Sequence, residues 1–336
     1  MFNKKAKQTK TNLRAGTLIS LVVIFATAWL AFNRQYVADY VAVSTFSPTE
    51  SILSIEDKVD MTDRGVFLFR ATQPQVIAAD QFNESCQRRE TNNPILGCFT
   101  GDRIFIYDID NQDLTGIKEV TAAHEMLHVA WERLSQADRS KLDVLLRQAY
   151  EKLATDELKV RIGYYERNEP TEIVNELHSI LATEFRDLGP ELDEYYSKYF
   201  VDRLAVVAQH ERYSGVFNGL VEKASSLQKQ LETRKIQLES KTTSYEAAVA
   251  NLSAAIQVFN GRAARGEFSS MSSFYSERSA LVAQSNQLES ERQSILTLVD
   301  EYNTMLADYQ QTASQIDKLN QSIDSVKGPA AAPEVD

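Results

Sequence analysis

The chain has 336 residues, enough for a substantial core and, on length, for about two domains. Its net charge of −11 is unevenly placed: Lys4, Lys5, Lys7, Lys10 and Arg14 crowd the first 14 residues without an acid among them, and the rest sets 31 basic against 47 acidic residues, a net near −16. An acidic body with no basic stripe argues against nucleic acid as a partner, because phosphate binding depends on clustered Lys and Arg.

Residues 15–32 contain no charge and are just long enough to span a bilayer as a helix. The basic tail before them, residues 1–14, predicts a cytosolic N-terminus and an extracytoplasmic body, hence a single-pass membrane protein. A cleaved signal peptide is the competing reading. The apolar run exceeds a usual signal core and no small-x-small site follows it, which favours an uncleaved anchor. Outside the cytosol, a close pair such as Cys86 and Cys98 is expected to be disulfide-bonded, closing the loop between them.

Residues 33–60 read as a juxtamembrane helix or linker. Gly65 to Ala71 reads as a strand, and Arg103 to Asp108 as a second with partial apolar alternation. This second strand, placed just before the next helix, is expected to be a sheet edge able to hold an extended peptide by strand addition.

That helix carries Val120-Thr-Ala-Ala-His124-Glu125-Met-Leu-His128-Val-Ala-Trp131, which holds the H-E-x-x-H spacing. Positions four apart share one helical face, so both imidazoles can converge on one ion while Glu125 projects beside them to take a proton from water. This is the division of labour of a zinc hydrolase. The chain has only four histidines, so the spacing is a specific signal. Val120, Ala123, Leu127, Trp131 and Leu134 share the histidines' side, which points both rings inward.

Ser135 to Asp138 is a capping signal for a helix to about Ala154, and Leu158 to Glu166 reads as another. A further helical segment, residues 171–185, starts after Asn168 and Pro170 and stops at Gly189-Pro190. A zinc hydrolase needs a third protein ligand, and Glu176, Glu184 and His178 compete for that place. Helix geometry alone leaves the choice open.

The H-E-x-x-H helix, followed by Asn175-Glu176-x-x-Ser179 and then Thr183-Glu184-Phe185, resembles the thermolysin-type gluzincin metallopeptidases, over about residues 117–133 and 171–186. The resemblance implies a zincin fold, one Zn²⁺ held by His124, His128 and Glu176, Glu125 as general base, and a peptide or protein substrate. The family often carries an acid four residues after the glutamate ligand to orient a zinc-bound histidine, but here that place is Ile180. Glu184 is then expected either to take over that orienting role or to be the ligand itself. His178, Tyr164 and Tyr165 are the candidate oxyanion donors.

From residue 220 to 259, and again from 274 to 323, apolar residues recur in 4-3 alternation around a glycine-bearing break. Two such seams predict an antiparallel coiled-coil hairpin, each arm on the order of 75 Å long. Arg234, Lys241, Arg278, Arg292 and Asn320 fall on the seams, where they either fix register or reach out to solvent.

The sequence therefore predicts an α+β, mainly α chain: anchor 15–32, linker 33–60, a zincin-like domain over 61–204, a hairpin over 205–326 and a disordered tail over 327–336. Its expected function is an extracytoplasmic zinc peptidase. A non-catalytic cell-envelope scaffold, working through a hairpin that pairs with itself or a partner, is the competing class.

Overall fold

A computed structural model describes residues 5–86 and 94–326. The predicted disordered tail, and residues 87–93 of the loop between the cysteines, lie outside them. The chain divides into two units: residues 1–215 with 321–336, and residues 216–320.

The first unit begins with helices α1 (Lys5–Phe32), α2 (Arg34–Thr45), α3 (Glu50–Val59) and α4 (Asp63–Ala71). Strand β1 (Gln75–Ile77), helix α5 (Ala79–Ser85), strands β2 (Gly97–Phe99) and β3 (Ile104–Tyr107) and a short 3₁₀ turn (Gln112–Leu114) follow. Helices α6 (Ile117–Glu132), α7 (Gln136–Leu153), α8 (Asp156–Asn168), α9 (Ile173–Glu184) and α10 (Pro190–Tyr196) complete it, with the start of α11 (Arg203–Ala264). The architecture is mainly helical with one small sheet, in agreement with the predicted class.

Gly65 to Ala71, predicted as a strand, is helix α4. A short apolar run does not distinguish strand from buried helix by itself. Here the Thr62 hydroxyl accepts the Gly65 N–H at 3.2 Å, and that cap commits the run to a helix that buries Leu68 and Phe69. Gly65 is required at this place, since a Cβ there would lie 2.4 Å from the Tyr199 carbonyl oxygen. Residues 33–60, expected as a juxtamembrane helix or linker, hold helices α2 and α3, and Ile52, Ile55 and Val59 of α3 are buried in the main core.

The sheet has the order β1-β3-β2, with β1 parallel and β2 antiparallel to β3. The predicted strand over 103–108 is thus confirmed as β3, but it is the central strand. Both its edges are paired, so it cannot accept a further strand; β2 is the edge nearest α6. Ile104 and Ile106 enter the core with Val120, Ala123 and Leu127 of α6, while Tyr107 packs on Phe82 of α5 at 5.7 Å between ring centroids. Cys86 and Cys98 are bonded as expected, tying the end of α5 to β2.

The end of the last helix, α12 (Met271–Ile323), returns to this unit. Asn83 Nδ2 donates to the Ser325 carbonyl at 2.9 Å, Ser325 Oγ donates to Asn83 Oδ1 at 2.7 Å, and Asn111 Nδ2 meets Ser322 Oγ at 3.0 Å.

In the second unit α11 and α12 are the 62- and 53-residue helices predicted from the seams. Arg234 pairs with Glu301 at 3.2 Å and Arg262 with Glu277 at 2.6 Å, so the partner number falls as the other rises and the two run antiparallel. The turn is closed by Phe259, Phe268 and Phe274, with ring centroids 5.1–5.2 Å apart, and Gly266 takes the left-handed conformation at φ 69°. Of the polar seam residues Arg234 is partly buried, whereas Lys241, Arg278, Arg292 and Asn320 lie exposed. Those four reach outward rather than fill an interface.

Among the described residues no single helix is long and apolar enough to cross a membrane. Leu18–Phe32 and Arg34–Thr45 meet that measure only as a pair bent by 75°. Ile19, Val22, Phe25 and Trp29 are each more than half exposed. α2 is fastened to the first unit through Asp39, which is buried and accepts two hydrogen bonds from Arg133, at 2.9 and 3.0 Å. Arg133 is the C-cap of α6.

Removing one partner of a buried ion pair leaves the other charge without compensation. Asp39→Ala is therefore expected to lower unfolding free energy by about 3 kcal/mol in urea titration of the detergent-solubilised chain, and adding Arg133→Ala to recover part of that loss.

Candidate metal centre

α6 begins after Gly116, whose φ of 100° suits only glycine, and it is buried along nearly its whole length. α6 packs on α9: His128 meets Asn175 and Ser179, Trp131 packs on His178, and Leu177, Ile180 and Leu181 of α9 are buried in the same core as Leu127. α9 is held at its far end by Arg203, whose guanidinium donates to the carbonyls of Ala182, Phe185 and Arg186 and so satisfies the end of the helix.

This packing brings Glu176 to the histidine pair. The Nε2 atoms of His124 and His128 are each 3.7 Å from a Glu176 carboxylate oxygen. One ligand atom from each residue lies within 4.8 Å of the others. The imidazole rings stand nearly perpendicular, 4.8 Å apart. Two imidazole nitrogens and a carboxylate around one point form a donor set suited to a divalent ion such as Zn²⁺.

The tautomer of His128 follows from its neighbours. Asn175 Nδ2 donates to Glu172 at 3.2 Å, which turns Asn175 Oδ1 toward His128 Nδ1 at 2.9 Å. Nδ1 must then carry a proton, and Nε2 is the ring nitrogen turned toward Glu176. Asn175 thus supplies the orienting contact that the sequence left without an owner at Ile180, which is buried in the core. Its position beside Glu176 in the Asn-Glu pair was the available signal.

The charges are strongly shifted. Burial, with neighbouring His128, Arg161 and His178, presses His124 well below the ordinary imidazole value. Burial also opposes protonation of His128, but Glu176, Glu125 and the Asn175 bond outweigh it and raise the value. Burial lifts the Glu125 carboxyl to about 7, against the pull of His128.

The cluster lies in a cleft of about 760 Å³ whose lining also includes Tyr164 and Tyr165, the two tyrosines expected as oxyanion donors. Two other predictions are corrected. Glu184 also borders the cleft but is not the histidines' partner: Arg161 donates to both its oxygens, at 2.7 and 2.9 Å, and His210 Nε2 lies 3.6 Å from it. Two turns of α9 separate it from Glu176, and Arg161 of α8 claims it first. His178 lies two residues past Glu176, about 200° round the helix, and therefore points into the core. There it is fully buried, 3.0 Å from the Tyr195 hydroxyl and packed on Trp131, with burial driving it down to about 3. It cannot reach a substrate. Arg161 and His210 were not anticipated, because their sequence surroundings carry no motif.

No family model matches the chain, and neither a curated protein nor a solved structure does. The resemblance to the gluzincins therefore rests on the quoted motifs, and the placement of Glu176 rests on the structure.

Zinc titration, read by equilibrium dialysis, checks the assignment. His124→Ala, His128→Ala and Glu176→Ala are each expected to abolish stoichiometric binding. Asn175→Ala should weaken it about 10- to 100-fold, and Glu184→Gln should leave the stoichiometry unchanged.

Proposed function

We propose that this chain is a membrane-anchored, extracytoplasmic zinc peptidase with a zincin-type head and an antiparallel coiled-coil hairpin. The observation that carries the reading is the convergence of His124, His128 and Glu176 in an open cleft with Glu125 beside them. The three would hold the ion through two imidazole nitrogens and a carboxylate. When bound, the metal polarises a peptide carbonyl and acidifies a water.

The chain's own residues do the rest. Glu125, with its carboxyl lifted to about 7, is matched to accept the proton of the attacking water near neutral pH and return it to the departing amine. Its burial is what makes it a stronger base than a solvated carboxylate. Asn175 keeps His128 in the tautomer that presents Nε2. Tyr164 and Tyr165 supply phenolic donors along the cleft wall for the developing oxyanion. The ion pair of Arg161 with Glu184 braces α8, which carries these tyrosines, against α9.

Three features support the membrane placement: the uncharged run, the basic residues before it and the disulfide. The hairpin suits presentation of substrate or association with a partner or a second copy.

The test is hydrolysis of an unfolded protein by the zinc-loaded full-length chain in detergent, with and without Glu125→Gln. The substitution is expected to keep zinc and lower kcat by at least about 10²-fold, the scale of general-base catalysis. Equal rates in both forms would remove Glu125 as base. Absence of hydrolysis in the wild-type chain would favour the scaffold reading.

A further inference from the structure

β2 is three residues long and lies at the edge of the sheet, so half of its backbone groups have no strand to pair with. The Tyr107 N–H donates to the Leu96 carbonyl at 2.8 Å and the Thr100 N–H to the Arg103 carbonyl at 2.9 Å. Even-numbered residues thus face β3, and Gly97 and Phe99 direct their backbone groups to the opposite side. That side is occupied by α6. The Phe99 N–H lies on this side too, where it favours the charged form of the Glu125 carboxyl. At Gly97 the approach is closer still: a Cβ would fall 2.6 Å from Thr121 Cγ2, 2.9 Å from Glu125 Cγ and 3.0 Å from Glu125 Oε1. Thr121 cannot turn this methyl away freely, because its hydroxyl donates to the Ile117 carbonyl at 2.8 Å.

A three-residue edge strand is weakly held by its ladder alone. β2 has a second fastening, the Cys86–Cys98 bridge to the end of α5. α5 is in turn tied through Asn83 to Ser325. The strand that touches Glu125 is therefore located by a covalent link as well as by β3.

We infer that β2, fastened by the Cys86–Cys98 bridge, is the positioning element for Glu125: Gly97 provides the bare backbone surface on which its side chain lies, beside the backbone of Phe99. Gly97 and Phe99 act through Glu125 and do not touch the reacting atoms. Glycine is needed at 97 because any side chain there would take the space of the base. The claim about position stands apart from catalysis; only its consequence for rate rests on the peptidase reading.

The experiment uses the zinc-loaded full-length chain in detergent micelles and reads two quantities. The first is amide hydrogen exchange at Phe99. Loss of the acidic side chain that lies against this edge should speed it about 10-fold or more in Glu125→Ala, and similarly in the Cys86→Ser, Cys98→Ser double variant. The second is turnover: Gly97→Ala should lower kcat about 10- to 100-fold with zinc stoichiometry and KM retained. Should Gly97→Ala fail to fold, the double cysteine variant carries the same kinetic expectation.

Unchanged Phe99 exchange in Glu125→Ala overturns the inference, and so does wild-type kcat in a zinc-loaded Gly97→Ala chain. If the wild-type chain hydrolyses nothing, the peptidase reading fails, and the exchange measurement still decides the position of Glu125.

Discussion

The packing of α6 on α9 is the contact on which the rest depends. Two helices can bring a carboxylate between two imidazoles only if their axes lie close, and here His128 reaches Asn175 while Trp131 packs on His178. The same interface carries Leu127, Leu177, Ile180 and Leu181, so the apolar contact that stabilises the head also sets the register of the polar cluster. A shift of one residue along α9 would turn Glu176 away by about 100°. The Asn175 bond to His128 spans the same pair of helices, so ligand placement and ligand orientation arise from one contact.

The cost of this arrangement is a concentration of ionisable groups away from water. His124 and His128 lie close to each other and to Glu176, Glu125 feels the charges of His128 and Glu176, and burial disfavours the charged form of Glu125 and of both histidines. The opposite shifts of the two histidines follow from their surroundings. Glu176, Glu125, Glu172 and the Asn175 amide oxygen support a positive charge on His128, whereas burial, His128, Arg161 and His178 oppose one on His124. Glu184 pairs with Arg161, which would otherwise be a partly buried cation at the cleft wall without a carboxylate.

The head is braced from several directions. Asp39 holds the C-cap of α6 to α2, Arg203 holds the end of α9, and the disulfide holds the edge strand. Ser322 and Ser325, at the end of α12, close onto Asn111 and Asn83, so the chain re-enters the unit it left more than a hundred residues earlier.

Where a feature depended on local periodicity or capping, it was legible in the residues. The long helices α11 and α12, the capped α7, the helix α6 that carries the H-E-x-x-H spacing and the pairing of Cys86 with Cys98 were all expected from spacing, cap residues or, for the cysteines, their closeness in the chain. Gly65 to Ala71 was misread because an apolar run of that length fits either element, and the Thr62 hydroxyl decided it. The histidine pair needed only one helix to be recognised. The third ligand needed two, and on α9 alone Glu176, His178 and Glu184 stood level. Tertiary packing separated them by sending Glu176 to the cleft, His178 to the core and Glu184 to Arg161. Asn175, Arg161 and β2 became visible only there as well, because each acts through a partner distant in sequence. Local sequence determines which groups share a helical face, and only the docking of one face on another determines which groups meet.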